Sequence, residues 1–151
     1  MSMFQAQDTN FESRVRESFA RQRLMQTLGA ILTLVAPGAV EIELPYRADL
    51  TQQHGFLHAG VVASVLDSAC GYAAFSLMPA DAAVLSVEFK VNLLAPARGE
   101  RLVARAEVKR AGRTVTVCTA DAHAFEGAQG KVVATMLATM MCVRGREDLV
   151  G

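Results

Sequence analysis

One carboxylate stands out by its setting. Asp67 lies in the middle of residues 57–78, a long apolar stretch. If that stretch is helical, the residues three, four and seven positions away lie beside it on one face. They are Gly60, Ala63, Ser64, Cys70, Gly71 and Ala74, all small, whereas Val61, Val62, Val65, Leu66 and Leu77 fall mostly elsewhere. The stripe leaves room beside the acid for a strand, a second subunit or a ligand. A buried carboxylate must be paired, hydrogen-bonded or neutral. One reading of Asp67 is therefore structural: an acid satisfied by backbone amides or by an arginine at a subunit contact. The other is chemical: a base or nucleophile.

The segment leading into the stretch favours the chemical reading. His54-Gly55-Phe56-Leu57-His58-Ala59-Gly60 runs straight into the expected helix start. The first turn of a helix carries N–H groups without intrahelical partners, and its dipole favours negative charge. Such a terminus can hold a developing oxyanion. Asp67 is about two turns downstream, roughly 10 Å along the axis, too far to act on an atom held at its own helix start. In an antiparallel pair of subunits, the acid of one helix could meet the N-terminus of its mate, giving a composite site.

The surrounding elements read as an α+β domain. The chain has 151 residues, zero formal net charge and 52% hydrophobic residues, which fits one domain with a real core. The neutral balance argues against nucleic-acid binding, which favours a basic face. The three cysteines, Cys70, Cys118 and Cys142, are odd in number and lack a CxxC pair. They read as core residues in a reduced, cytoplasmic setting rather than a disulfide framework. The N-terminal residues lack the apolar run of a signal peptide. Residues 57–78 are long enough to span a membrane, but a central aspartate costs about 2.5–3.5 kcal/mol there. A buried helix is the expectation, with no membrane partner.

Along the chain, residues 10–25 read as a surface helix with Phe11, Val15 and Phe19 at helical spacing. Residues 28–36 and 39–45 read as strands flanking a Pro37-Gly38 turn. Residues 46–57 form a polar loop before the long helix. Four strands follow, at 83–94, 101–109, 114–125 and 131–143. In the first of them Leu85, Val87, Phe89, Val91 and Leu93 alternate with Ser86, Glu88, Lys90 and Asn92, which places the two sets on opposite faces. The single domain thus has a helical segment at 1–25 and a polar, flexible tail at 144–151. A six-stranded antiparallel sheet with one apolar helix across it makes a two-layer domain. The helix is too apolar for its outer side to face water, which points to a homo-oligomer.

The segment Gln52-Gln53-His54-Gly55-Phe56-Leu57-His58-Ala59-Gly60, with Asp67 seven residues on, resembles the signature of hotdog-fold acyl-CoA thioesterases of the phenylacetate-degradation, PaaI-like type. The helix, strand order and length match over about residues 25–143. The resemblance implies the hotdog fold, a six-stranded antiparallel sheet wrapped around a long central helix, and hydrolysis of an acyl-CoA thioester. No cofactor is implied, because the CoA thioester is itself the substrate; no metal is implied either. It implies a dimer, or a dimer of dimers. It implies that Asp67 is the general base or nucleophile, that Gln52 helps hold the thioester or water, and that His58 and Gly60 are the motif histidine and second glycine. Ser86 matches a serine or threonine that orients the attacking water. Ala59 departs from the family's glycine at the position whose backbone N–H is the oxyanion donor. Alanine is harmless there if the residue is helical and disruptive if it needs positive φ.

Several basic residues, Arg98, Arg101, Arg105, Lys109, Arg110 and Arg113, gather around one hairpin. Arg110 and Arg113 flank its tip and are candidates for the CoA phosphates. A solvated strand edge is the plainer reading. His54 and Ser64 are further substrate-binding candidates. His54 and His58 have the spacing of a zinc pair, but Gly55 stands where a zincin has glutamate. Two other activities are alternatives on the same fold. Hotdog hydratases or dehydratases use an Asp–His pair in a different motif, which is absent. Non-catalytic acyl-CoA sensors carry a DNA-binding helical extension, for which some 25 N-terminal residues are too few.

Overall fold

A computed structural model describes residues 3–151. The helical stretch expected at 10–25 forms two helices. Helix α1 (Phe11–Arg21) buries Val15 and ends at Gln22, whose φ of −77° and ψ of 103° are extended. Helix α2 (Arg23–Leu28) buries Met25 and Leu28 and closes on Gly29 in the left-handed region at φ 75°. Neither glycine nor proline marks the break. Its cause is tertiary: the Gln22 side chain is drawn onto Ser68 and Tyr72 by hydrogen bonds of 2.8 and 3.2 Å. Leu28 therefore belongs to a helix rather than to the first strand.

Strands β1 (Ile31–Ala36) and β2 (Ala39–Pro45) form a hairpin. After the loop comes helix α3 (Ala59–Phe75), then β3 (Ala83–Leu93), β4 (Arg101–Ala111), β5 (Val115–Glu126) and β6 (Gln129–Val143). The six strands form one sheet in the order β1-β2-β4-β5-β6-β3. Each pairing is antiparallel. Helix α3 lies on one face of the sheet, against Ile42 and Leu44 of β2, Leu102 and Ala104 of β4, and Met136 and Ala138 of β6, all buried. The many alanines on that face let the helix approach closely. Ser76 fixes the end of α3: its Oγ donates to the Ala73 carbonyl and accepts the Gly38 N–H, tying the helix to the β1–β2 turn. This is the hotdog architecture expected from the sequence, a sheet wrapped on one long helix. No helix among the described residues is long and apolar enough to cross a membrane.

Strand β3 departs from the expected alternation. Ser86 is opposite Met140 and Glu88 is opposite Thr139, so Val87 is an extra residue without a partner. This two-against-one insertion is a β-bulge, which shifts the faces of a strand by one residue. Val84 and Ser86 therefore share the α3 face before the bulge, and Phe89, Val91 and Leu93 share it afterwards, judged by their partners Cys142, Met140, Ala138, Met136 and Ala134. Leu85, opposite Met141, lies on the outer face with 47% of its surface exposed. Bulges are favoured at sheet edges, and β3 is an edge strand.

Candidate active site

The bulge brings Ser86 to Asp67. Asp67 is half-buried on α3, and Ser86 Oγ donates to its Oδ1 at 2.7 Å. The same Oγ lies 3.4 Å from Met140 Sδ, which fixes its position. Among the described residues no cation pairs with Asp67 and no backbone amide reaches it, so its one partner within the chain is the Ser86 hydroxyl. With Oδ1 held by a neutral hydroxyl, Oδ2 is left for another partner.

A cavity of about 390 Å³ opens beside the acid. Gly71, one turn beyond Asp67, helps to line it; a Cβ there would meet nothing within 4 Å. Ser68 and Tyr72 form the next part of the wall, and Ser18, Arg21 and Gln22 of the N-terminal segment complete that side. Gln22 accepts from Ser68 Oγ and donates to the Tyr72 hydroxyl, which also lies 3.2 Å from Ser18 Oγ. Burial pushes the Tyr72 phenol above its ordinary range. The spacing of Phe11, Val15 and Phe19 suggests only a packing role for this segment. Its polar residues, which do not follow the apolar stripe, are those that reach the cavity.

At the other end of α3, His58 is the N-cap: its Nδ1 accepts the Gly60 N–H at 2.8 Å, and its carbonyl accepts from Val61 and Val62. Gly60 makes this possible, since a Cβ would come within 3.1 Å of that nitrogen. The His58 and Leu57 amides are spent on the Leu50 and Ala97 carbonyls. The Ala59 N–H alone in this turn has no partner among the described residues. Ala59 is the first helical residue, and no residue other than glycine has positive φ among those described. Alanine in place of the family's glycine therefore leaves the amide free and the backbone unstrained.

The remaining candidates divide. Gln52 turns back into its own loop, its Oε1 accepting the His54 N–H at 2.5 Å. The His54 side chain is exposed. Ser64 Oγ donates to the Gly60 carbonyl at 2.7 Å, so its proton is committed to the helix backbone. The supposed basic cluster is three separate groups. Arg98 stacks on Phe56 at 4.5 Å from the ring centre, beside the loop that enters α3. Arg101 and Arg105 pair with Glu43 and Glu41, and Lys109 with Glu107. Arg110 and Arg113 remain at the β4–β5 turn, at the far end of an eleven-residue strand from Arg101, exposed and without a pairing acid among the described residues. Alternate charges on the sheet's outer face had concealed this division in the sequence.

Asp67 is not joined to the free amide of its own chain. Ser86 and the cavity surround the acid, while Gln52, His58, Ala59 and Gly60 stand at the helix start, two turns away. Cys70 and Cys118 are buried in the core, as expected of small apolar residues. Burial drives the Cys70 thiol far up and the Cys118 thiol up to about 12, so neither is a nucleophile at neutral pH.

Residues 54–131, more than half of the chain, match the model of the thioesterase superfamily. The chain is 60% identical to a thioesterase family protein from Silicibacter pomeroyi whose structure is known, with a TM-score of 0.88 over 89% of this chain and 99% of that one. It is 34% identical over 122 residues to a protein of Halobacterium salinarum named as a candidate esterase, covering 72% of this chain and 80% of that protein. The PaaI protein of E. coli, from the phenylacetic acid degradation operon, shares the fold at a TM-score of 0.81 and 20% identity, over 90% of this chain and 95% of that one. The chain belongs to the thioesterase superfamily and is a hotdog-fold thioester hydrolase.

Proposed function

We propose that the substrate is an acyl-CoA, cleaved to the free acid and CoA by a site composed from two subunits. The observation that carries this reading is the pairing of Asp67 with Ser86 beside an open cavity, with no cation among the described residues to neutralise the acid. In this account Asp67 is the general base. Ser86 holds Oδ1 and lowers its nucleophilicity, leaving Oδ2 to take a proton from water. The water oxygen bonds to the thioester carbonyl carbon, and the oxyanion that forms is held by the Ala59 N–H and the positive end of the partner's α3. As the tetrahedral intermediate collapses, the C–S bond breaks and the sulfur of CoA recovers the proton from Asp67.

The partner is a second copy of this chain, paired edge to edge through β3. That strand is long, unpaired on one side, and exposes Leu85, Val87, Phe89 and Leu93. Such an edge is a template for strand addition. An antiparallel pairing brings the two α3 helices together and sets each Asp67 against the other chain's helix start. Gln52 and His54 then reach the thioester from the partner's loop, and Arg110 and Arg113 are left for the CoA phosphates. Exposed Leu137, Met141 and Val115 on the outer face support a further pairing of dimers. Three free thiols, two of them buried, fit a cytoplasmic protein.

The test is thiol release from a panel of acyl-CoAs, with Asp67→Asn beside wild type. A lost general base lowers kcat by about 10²–10⁴, and the melting temperature should stay close to wild type. Single turnover in ¹⁸O-water bears on the two roles of the acid: label on Asp67 would show an anhydride opened by water at the Asp67 carbonyl, whereas a general base leaves Asp67 unlabelled and puts the label in the product acid. Release that survives the substitution would remove Asp67 from the mechanism.

A further inference from the structure

The chain after β6 does not trail away from the fold. It folds back over the Asp67 cavity, and its last four residues line one side of it. The root is the Arg144–Asp81 ion pair at 3.1 Å. The chain then turns, with the Leu149 N–H donating to the Arg146 carbonyl and Arg146 paired with Asp148 at 2.6 Å. Gly151 is seated on the buried Phe75 ring, where a Cβ would come within 2.5 Å of a ring carbon and 2.7 Å of the Ala82 carbonyl oxygen. Only glycine fits that seat. Arg21, at the end of α1, donates to the Gly151 carbonyl. Arg21 has no pairing acid among the described residues and no part in the chemistry proposed above.

We propose that residues 146–151 are a strap, latched by Arg21, that closes one side of the acyl cavity and limits the length of the acyl group accepted. The inference rests on the reading of the Asp67 cavity as the acyl site. Beside the strap, the rest of the wall is built from α3 and the Gln22–Tyr72–Ser68 hydrogen bonds, which are part of the fold. The strap can yield. It has no strand pairing beyond Val143, its ion pairs are exposed, and Val150 is 82% exposed. With the strap seated the cavity measures about 390 Å³ and residues 148–151 form one of its walls; with the strap released that wall is lost and a longer chain can pass.

The experiment compares wild type, Arg21→Ala, and a chain ending at Gly145, which keeps all of β6. Each is assayed on short, medium and long saturated acyl-CoAs, and the quantity read is the ratio of kcat/KM for the longest to that for the shortest. The strap predicts that this ratio rises about tenfold in both variants, the scale on which pocket size discriminates. A ratio within about twofold of wild type in the shortened chain would overturn it. Equal loss on every chain length with an unchanged melting temperature would do the same. Asp67→Asn in the same series keeps the two readings apart: turnover that survives it defeats the assignment of the site, whereas an unchanged ratio with Asp67 essential defeats only the strap.

Discussion

The two halves of α3 have different surroundings. From Ser68 to Phe75 every residue but Gly71 is buried, held by the sheet on one side and by α1 on the other. Phe19 meets Tyr72 edge-on at 5.8 Å, and Arg14 covers the Phe75 ring at 4.4 Å. From Ala59 to Asp67 the helix is only partly covered: Ala59 and Gly60 are exposed, and Ala63, Ser64 and Asp67 are half-buried. One half is fixed by packing within the chain. The other half presents a free amide and an acid that no cation among the described residues neutralises. A helix whose anchor is remote from its chemistry can keep both groups accessible without losing their position. It also explains how a helix apolar enough to demand burial leaves room for a second subunit.

The contrast can be broken at either end. The largest effect is expected at the helix start. Ala59→Pro removes the free N–H, yet proline is favoured at the first helical position and His58, at φ −62° and ψ 140°, already has the extended backbone that precedes proline. Turnover should fall by about 10²–10³, as for other lost oxyanion donors, with the urea midpoint nearly unchanged. In the anchored half the pattern reverses. Ala73→Val overpacks a fully buried position and should cost about 1–3 kcal/mol in urea unfolding while kcat at 25 °C changes little. The smallest effect concerns the thiol packed under this half, where Cys118 Sγ lies against the Cys70 carbonyl. Its pKa is raised by burial from 9.0 to about 12. Between those values the unfolded chain has lost a proton that the folded chain retains, so stability falls as pH rises. The alkaline slope should be shallower in Cys118→Ala by up to about 1.4 kcal/mol per pH unit, read by urea unfolding between pH 8 and 11.

The sequence carried the fold through its periodicities. The alternation of Val40, Ile42 and Leu44, the even-numbered residues of β4 and the apolar run around Asp67 define a sheet with one helix on it. The spacing between the histidine loop and Asp67 was also legible, because both lie on or next to one helix whose geometry is local. Legibility ended wherever a distant partner decides the local structure. Nothing in Leu85-Ser86-Val87-Glu88 signals a bulge, since an extra residue is defined only against β6. The alternation read through it placed Ser86 on the face opposite to the one it occupies. Gln22 breaks a helix because Ser68 and Tyr72, some fifty residues away, hold its amide. The residues read as a frayed tail have contacts that only the folded positions of Arg21 and Phe75 create.

The most direct test of the central claim is complementation between two inactive proteins. Asp67→Asn and Ala59→Pro dimers are mixed under conditions that exchange subunits, and thioester cleavage is followed. If each site takes its acid from one chain and its amide from the other, every mixed dimer contains one intact site, and activity should return to about a quarter of wild type. Activity that stays at the level of the parents, with mixed dimers shown to have formed, would mean that acid and amide do not serve one site across the interface.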